Sequence, residues 1–223
     1  MRDNDLLVAY KSNKLIEASY KLTLQEQRLL LACIGKLNPL SLNTKMMITV
    51  EEFKNIYPLA KDNAERDLQL AVDRLWDRSV LITKDNFTQE FRWIESKAIY
   101  HKGESRVELI FSTSVMPYLT KLEQQFTKIV LDNISQLSSV YTIRLYELLF
   151  QYKDVKRRII SVSDFRKYMC IDDKYPDFKS LRQWVINPSL KEINKKSNLQ
   201  IDLILIKKGR KIESLDFTFQ IKD

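Results

Sequence analysis

The chain has 223 residues, 44% of them hydrophobic and 30% charged, and a formal net charge of +8. That length allows one large domain or two of about half the size, each with enough apolar material for a core. No run of about 18 apolar residues occurs, so no membrane span is expected, and residues 1–14 lack the apolar stretch of a signal peptide.

Thr23-Leu24-Gln25-Glu26 opens the first predicted helix as a capping box, a hydroxyl accepting from an early helix amide while the acid reaches back. Leu24, Leu30, Ile34 and Leu37 recur at helical spacing, and Asn38-Pro39 ends the run. Met46 to Val50 reads as a strand and Val50 to Tyr57 as a short helix stopped by Pro58. Asp62 to Ser79 reads as a longer helix with Leu68, Val72, Leu75 and Trp76 on one stripe, and a strand begins at Val80. Phe91 to Tyr100 and Val107 to Phe111 flank a predicted hairpin turn, His101 to Ser105. Residues 121–138, diluted by Glu123-Gln124-Gln125 and the serines after Ile134, read as a linker. Beyond it, Val140 to Tyr152 is an apolar-rich helix, Arg158 to Val162 a strand and Ser163 to Met169 a short helix. Phe178 to Asn194 is a longer helix with Leu181, Val185 and Ile193 near one face, and Pro188 predicts a kink or break after Asn187. Leu199 to Ile206 and Leu215 to Ile221 are strands on either side of the turn Lys207 to Lys211.

One phrase occurs twice. ITVEEFKNIY at 48–57 and ISVSDFRKYM at 160–169 each place an isoleucine before a hydroxyl residue, an acid three positions later, then an aromatic and a base. Around both copies the order is helix, strand, helix, helix, strand, strand. That is a helix-turn-helix followed by a β-hairpin, made twice. The predicted fold class is therefore α+β, with two tandem winged-helix domains related by an internal repeat. The predicted domains are residues 1–120 and 139–223, joined by the linker 121–138.

Charge is uneven. Residues 1–120 hold 17 basic against 16 acidic side chains, and residues 121–223 hold 20 against 13. A basic half suggests a polyanion partner, usually nucleic acid; a solvated surface that aids solubility accounts for the charge equally well. Cys33 and Cys170 sit far apart in apolar helical contexts, which predicts two buried thiols in a reducing cytoplasm.

On the long helix of the second repeat, Leu181 and Val185 fall beside Phe178, towards the core. Lys179, Ser180, Gln183 and Asn187 fall on the far side, with Arg182 between. The N-terminal part of such a helix enters the major groove. Arg and Lys suit guanine edges, Gln adenine and Ser either; a solvated polar face is the plain alternative. Lys174, ahead of the helix, joins these candidates, and Trp184 reads as core or groove wall. At the hairpin tip, Lys207, Lys208, Arg210 and Lys211 surround Gly209 and are placed to meet phosphates or the minor groove. The alternative for the tip is a charged hairpin that guards a sheet edge. Helix and tip together favour DNA contact. In the first repeat, Arg66, Gln69 and Arg74 on a helix of alternating signs, and Lys84, are secondary candidates. Lys84 and the apolar hairpin FRWIESKAIY could instead supply a protein interface.

No catalytic, metal or cofactor site is predicted. His101 is the only histidine, a metal cluster needs several ligands at set spacings, and no GxxxxGK[ST] occurs. A rolling-circle nickase would need a pair of metal-binding histidines. The chain is not expected to be an enzyme.

KSNKLIEASYKLTLQEQRLLL at 11–31 resembles the N-terminal signature of the iteron-binding plasmid replication initiator (Rep) family. YTIRLYELLFQY at 141–152 and LKEINKKSNLQIDLILIKKGRK at 190–211 resemble its second domain. The resemblance runs from about residue 8 to residue 220, and the family's two winged-helix domains agree with the repeat read above. It implies a cytoplasmic protein that binds direct repeats at a plasmid origin mainly as a monomer and represses its own promoter as a dimer at an inverted repeat. It also implies opening of an adjacent A·T-rich segment, recruitment of a host initiator and helicase, and a part in copy control. The main base readout would lie in the second domain, at positions matching Lys179, Arg182 and Gln183. Backbone contacts and the dimer interface would lie in the first. KSLRQW is less arginine-rich than the family's usual recognition helix, and the chain stops soon after its last strand, so no C-terminal tail function is expected. The competing expectation is a dimeric winged-helix transcription regulator that binds one inverted repeat.

Overall fold

The computed structural model describes residues 6–40, 43–58, 63–84, 86–99 and 105–222. The chain divides into two units, Met1–Gln136 and Leu137–Asp223.

The first unit is built around α2 (Leu24–Lys36), preceded by β1 (Val8–Ser12) and a single turn, α1 (Asn13–Ile16). Thr23 starts α2. Its hydroxyl accepts the Glu26 amide at 3.3 Å, and Glu26 accepts the Thr23 amide at 3.0 Å. From Glu26 to Ile34 every residue of α2 is buried, so the helix is enclosed on all faces instead of presenting one apolar stripe. The chain then runs through β2 (Lys45–Thr49), α3 (Val50–Ile56) and α4 (Ala64–Leu75). Next come β3 (Ser79–Lys84), β4 (Phe87–Arg92), β5 (Ile94–Ile99), β6 (Arg106–Phe111) and β7 (Phe126–Val130). The main sheet has the order β2-β6-β5, all antiparallel.

Three expectations change here. The segment 121–138 is not a linker: β7 lies within it and pairs antiparallel with β1, and Ile129, Leu131 and Ile134 are buried. Polar residues dilute this segment, yet its alternate positions still face the core. The strand expected over 91–100 is two strands. Trp93 turns into the core, where it is 1% exposed; its amide donates to the Arg78 carbonyl at 3.3 Å and its carbonyl accepts the Ser112 amide at 3.0 Å. β4 therefore pairs with β3, and β5 with β6. Phe91, Trp93 and Ile94 of the expected interface hairpin are buried in the unit's own core. Residues 101–104 of the expected hairpin turn, and the side chain of Lys84, lie outside the described residues.

The second unit repeats the plan. α5 (Val140–Phe150), started by the Ser139 hydroxyl, is buried throughout from Thr142 to Phe150. β8 (Arg157–Ser161) leads into α6 (Val162–Met169). A continuous helical run follows: α7 (Phe178–Leu181), a π-helical turn (Arg182–Ile186) and α8 (Asn187–Lys196). β9 (Leu199–Lys208) and β10 (Lys211–Ile221) close a sheet of order β8-β10-β9, the same first-last-middle order as in the first unit. The doubled phrase occupies equivalent places. Ile48 and Ile160 are buried next to the last residue of β2 and β8, and Phe53 and Phe165 are fully buried on the helix that follows. The caps differ. Glu52 reaches the Thr49 amide at 2.8 Å and completes a capping box, whereas the shorter Asp164 stops at the Ser161 hydroxyl at 2.6 Å.

The helical run continues through Pro188, with a π-helical turn just ahead of it where a kink or break after Asn187 was expected. Pro188 removes an amide and crowds the preceding turn, and the π-turn ahead of it absorbs both effects. The extra residue lets Val185 and Ile186 both face the core. It also turns Trp184 outward, 61% exposed, where core or groove wall was expected. The thiols differ too: Cys33 is buried and pushed up to about 12 by that burial, while Cys170 is half-buried in a left-handed conformation at the end of α6.

Candidate nucleic-acid interface

The candidate site of the second unit lies between the long helix and the β9–β10 hairpin. Asp177 starts the helix. Its carboxylate accepts the Ser180 amide at 2.8 Å and the Ser180 hydroxyl at 2.7 Å, and these bonds hold it below the usual carboxylate range. One turn later, Lys179, Arg182 and Gln183 project to the solvent side while Leu181 and Val185 are buried. The hairpin is closed by Gly209 and Arg210 alone, because β9 and β10 pair as far as Lys208 and Lys211. Gly209 has φ +62°, a conformation that glycine adopts without strain and that two-residue hairpins require at this position.

Helix and hairpin enclose an open groove of about 550 Å³. Phe178, Lys179, Arg182, Gln183 and Asn187 line it from the helix, and Leu205, Lys207 and Ile212 from the hairpin. Three cations, two carboxamides and three apolar groups meet there, and no described carboxylate lines it. Arg210 and Lys211 extend the positive charge to the exposed tip. A concave, cationic wall with amide donors and acceptors suits a phosphate backbone and base edges together.

The structure therefore brings Lys179, Arg182, Gln183 and Lys207 to one surface. It does not bring Ser180 there, since its hydroxyl serves the cap. Lys208 faces the opposite side of the hairpin from Lys207, as strand alternation requires, and pairs with Glu213 at 3.2 Å. Lys174 is exposed in the turn before the helix. The apolar walls Leu205 and Ile212 were not among the predicted site residues, and Asn187 was placed only on the outward side of the helix. Helical spacing marks Asn187 as outward-facing, but nothing in the sequence shows which part of that face the hairpin covers.

In the first unit, Arg66 and Arg74 are exposed on α4 and Gln69 is half-buried there. Arg66 lies 3.3 Å from Asp67. Two acids of this face are engaged from the sheet: Lys97 pairs with Asp73, and Arg92 lies 3.7 Å from Asp77 while donating to the Trp76 carbonyl at 2.5 Å. Among the described residues no group of three or more His, Cys, Asp or Glu is placed to hold a metal ion, and no helix is long and apolar enough to cross a membrane.

Residues 8–150 match the family described as Initiator Replication protein, WH1, and residues 161–219 match Initiator Rep protein, WH2. The chain belongs to the replication initiator protein family. It is 31% identical over 228 residues to a Replication initiation protein of Escherichia coli, covering 96% of this chain and 70% of that protein. It is 30% identical over 142 residues to a PI protein of Escherichia coli, covering 56% of this chain and 47% of that protein. Its fold matches the crystal structure of Pi initiator protein in complex with iteron DNA with a TM-score of 0.85 at 23% identity, over 99% of each chain. Two winged-helix domains, derived above from an internal repeat, are thus the family's own architecture.

Proposed function

We propose that this chain initiates plasmid DNA replication by binding direct repeats at the origin. The observation that carries the proposal is the groove of the second unit, where Lys179, Arg182, Gln183, Asn187 and Lys207 converge on a surface without a described carboxylate. Family membership supports the role in replication. The fold shared with Pi initiator, a protein solved on iteron DNA, supports repeats of that kind as the target.

In this reading the second unit supplies most base readout. The first unit adds backbone contacts through Arg66, Gln69, Arg74 and Lys84 and carries self-association. A dimer represses the chain's own promoter, and the origin complex engages a host initiator and helicase in the cytoplasm. No enzymatic step is assigned to the chain.

A nuclease footprint on the DNA flanking the chain's own gene, at about 150 mM salt where non-specific binding is weak, tests the proposal. A ladder of protected direct repeats is expected. Protection of a single inverted repeat and nothing else would replace the initiator reading with that of a transcription regulator. No protection at all would remove this DNA as the partner.

A further inference from the structure

Arg166 is the base that follows Phe165 in the second copy of the doubled phrase, and its guanidinium turns back over the loop between α6 and α7. Nη1 donates to the Lys174 carbonyl at 2.9 Å, and Nη2 donates to the Tyr175 carbonyl at 2.5 Å and the Pro176 carbonyl at 3.5 Å. The Arg166 carbonyl accepts the Ile171 amide at 3.1 Å, so one residue holds both arms of the loop. The loop needs holding. Cys170 and Tyr175 both sit in the left-handed region, at φ 51° and 53°, which side-chain-bearing residues adopt at a cost. Immediately beyond it, Asp177 caps the helix that carries Lys179, Arg182 and Gln183.

We propose that Arg166 is a positioning residue for base readout. By fixing the carbonyls of 174–176 it sets where Asp177 begins the helix, and so where the groove residues stand, without itself touching DNA. A planar fork can serve several carbonyls in one geometry, whereas an ammonium is a compact point charge that serves fewer. The inference rests on the proposed DNA-binding function, and its test separates the two.

The chain and its Arg166→Ala and Arg166→Lys variants would be compared in two measurements. The first is amide hydrogen exchange over residues 177–182 without DNA. The second is a salt series of binding to a duplex that the unmodified chain selects from a random-sequence pool, against poly(dI·dC). For Arg166→Ala we expect faster exchange at Ser180 and Leu181. Its preference for the selected duplex should fall about tenfold or more, as expected for misplaced base contacts, with an unchanged salt slope. Arg166→Lys should recover part of that preference. Unchanged exchange, a salt slope lowered by about one as for a phosphate contact, or equal losses on both duplexes would each overturn the positioning role. An unmodified chain that selects no duplex would defeat the DNA-binding reading instead, leaving the exchange result to judge the clamp alone.

Discussion

The amide of Asn187 donates to the carbonyl of Arg182, five residues back instead of four. This π-turn lies across the residues that line the groove, and such turns recur where a helix carries function. Here it reconciles two demands. Val185 and Ile186 both reach the core, while Arg182, Gln183 and Asn187 stay on the groove side. Asn187 is therefore expected to read a base, since a carboxamide matches the adenine edge. Asn187→Ala should lose about 1–3 kcal/mol of discrimination at one A·T pair and leave the others unchanged. Competition among single-base-pair variants of the bound duplex measures this. A loss spread evenly over all variants would remove Asn187 from readout.

The hairpin residues should behave differently from the helix. Lys207 faces the groove and Arg210 the tip, and both are expected to meet phosphates. Lys207→Ala and Arg210→Ala should each weaken every duplex alike and lower the slope of log affinity against log salt by about one. Lys208→Ala should do less, because Lys208 points to the other side and is engaged by Glu213. Equal effects of Lys207→Ala and Lys208→Ala in a salt series would contradict the division of the hairpin into two faces.

What the sequence disclosed was short-range chemistry. The caps at Thr23, Thr49 and Ser161 depend on residues three apart, and each hydroxyl accepts the amide three positions on. The repeat followed from those local signals. What it concealed was long-range pairing. β1 and β7 are joined across more than a hundred residues, and no local pattern in 121–138 announces a strand whose partner is Val8–Ser12. The division of the strand at Trp93 is likewise set by the Arg78 and Ser112 backbone groups that hold it. At the site, helical spacing separated Lys179, Arg182 and Gln183 from the core. It could not report that Ser180 is bound by its own cap, nor that a π-turn puts Trp184 outside.

Glu192 gives a pH dependence of defined sign. Burial pushes its carboxyl up, but bonds from Lys196 at 2.8 Å and from the Ser138 hydroxyl and amide at 2.6 and 3.0 Å outweigh it and hold it below its ordinary 4.5. A carboxyl depressed in the folded state contributes stability that is complete above its unfolded pKa and disappears as pH falls through the folded value. The second unit should therefore lose stability from about pH 4.5 downward, and Glu192→Gln should flatten that part of the acid limb. Amide-exchange protection of α5 against pH, in the full chain, measures both. An unaltered acid limb in Glu192→Gln would show that Glu192 does not tie α8 to the start of α5.

Glu26 and Arg78 make the corresponding test of the first unit. Glu26 is fully buried; besides the cap bond, its two oxygens accept Arg78 Nε at 2.9 Å and Nη2 at 3.0 Å. That fork anchors the start of the central helix to the segment between α4 and β3, and the carboxylate has raised the Arg78 guanidinium further above its ordinary range. Removing one partner of such a pair leaves a bare buried charge, the costly case. Arg78→Met should destabilise the unit by about 3 kcal/mol, the low end of that range, because a third of the Arg78 side chain still meets water. Adding Glu26→Gln should recover part of the loss, since the charge is gone while an oxygen remains for the cap. Urea unfolding followed by tryptophan fluorescence in a Trp184→Phe background isolates the first unit, because Trp76 and Trp93 both lie within it. A loss under about 1 kcal/mol, or a double variant no more stable than Arg78→Met, would mean that the buried carboxylate is held by its cap and not by the arginine.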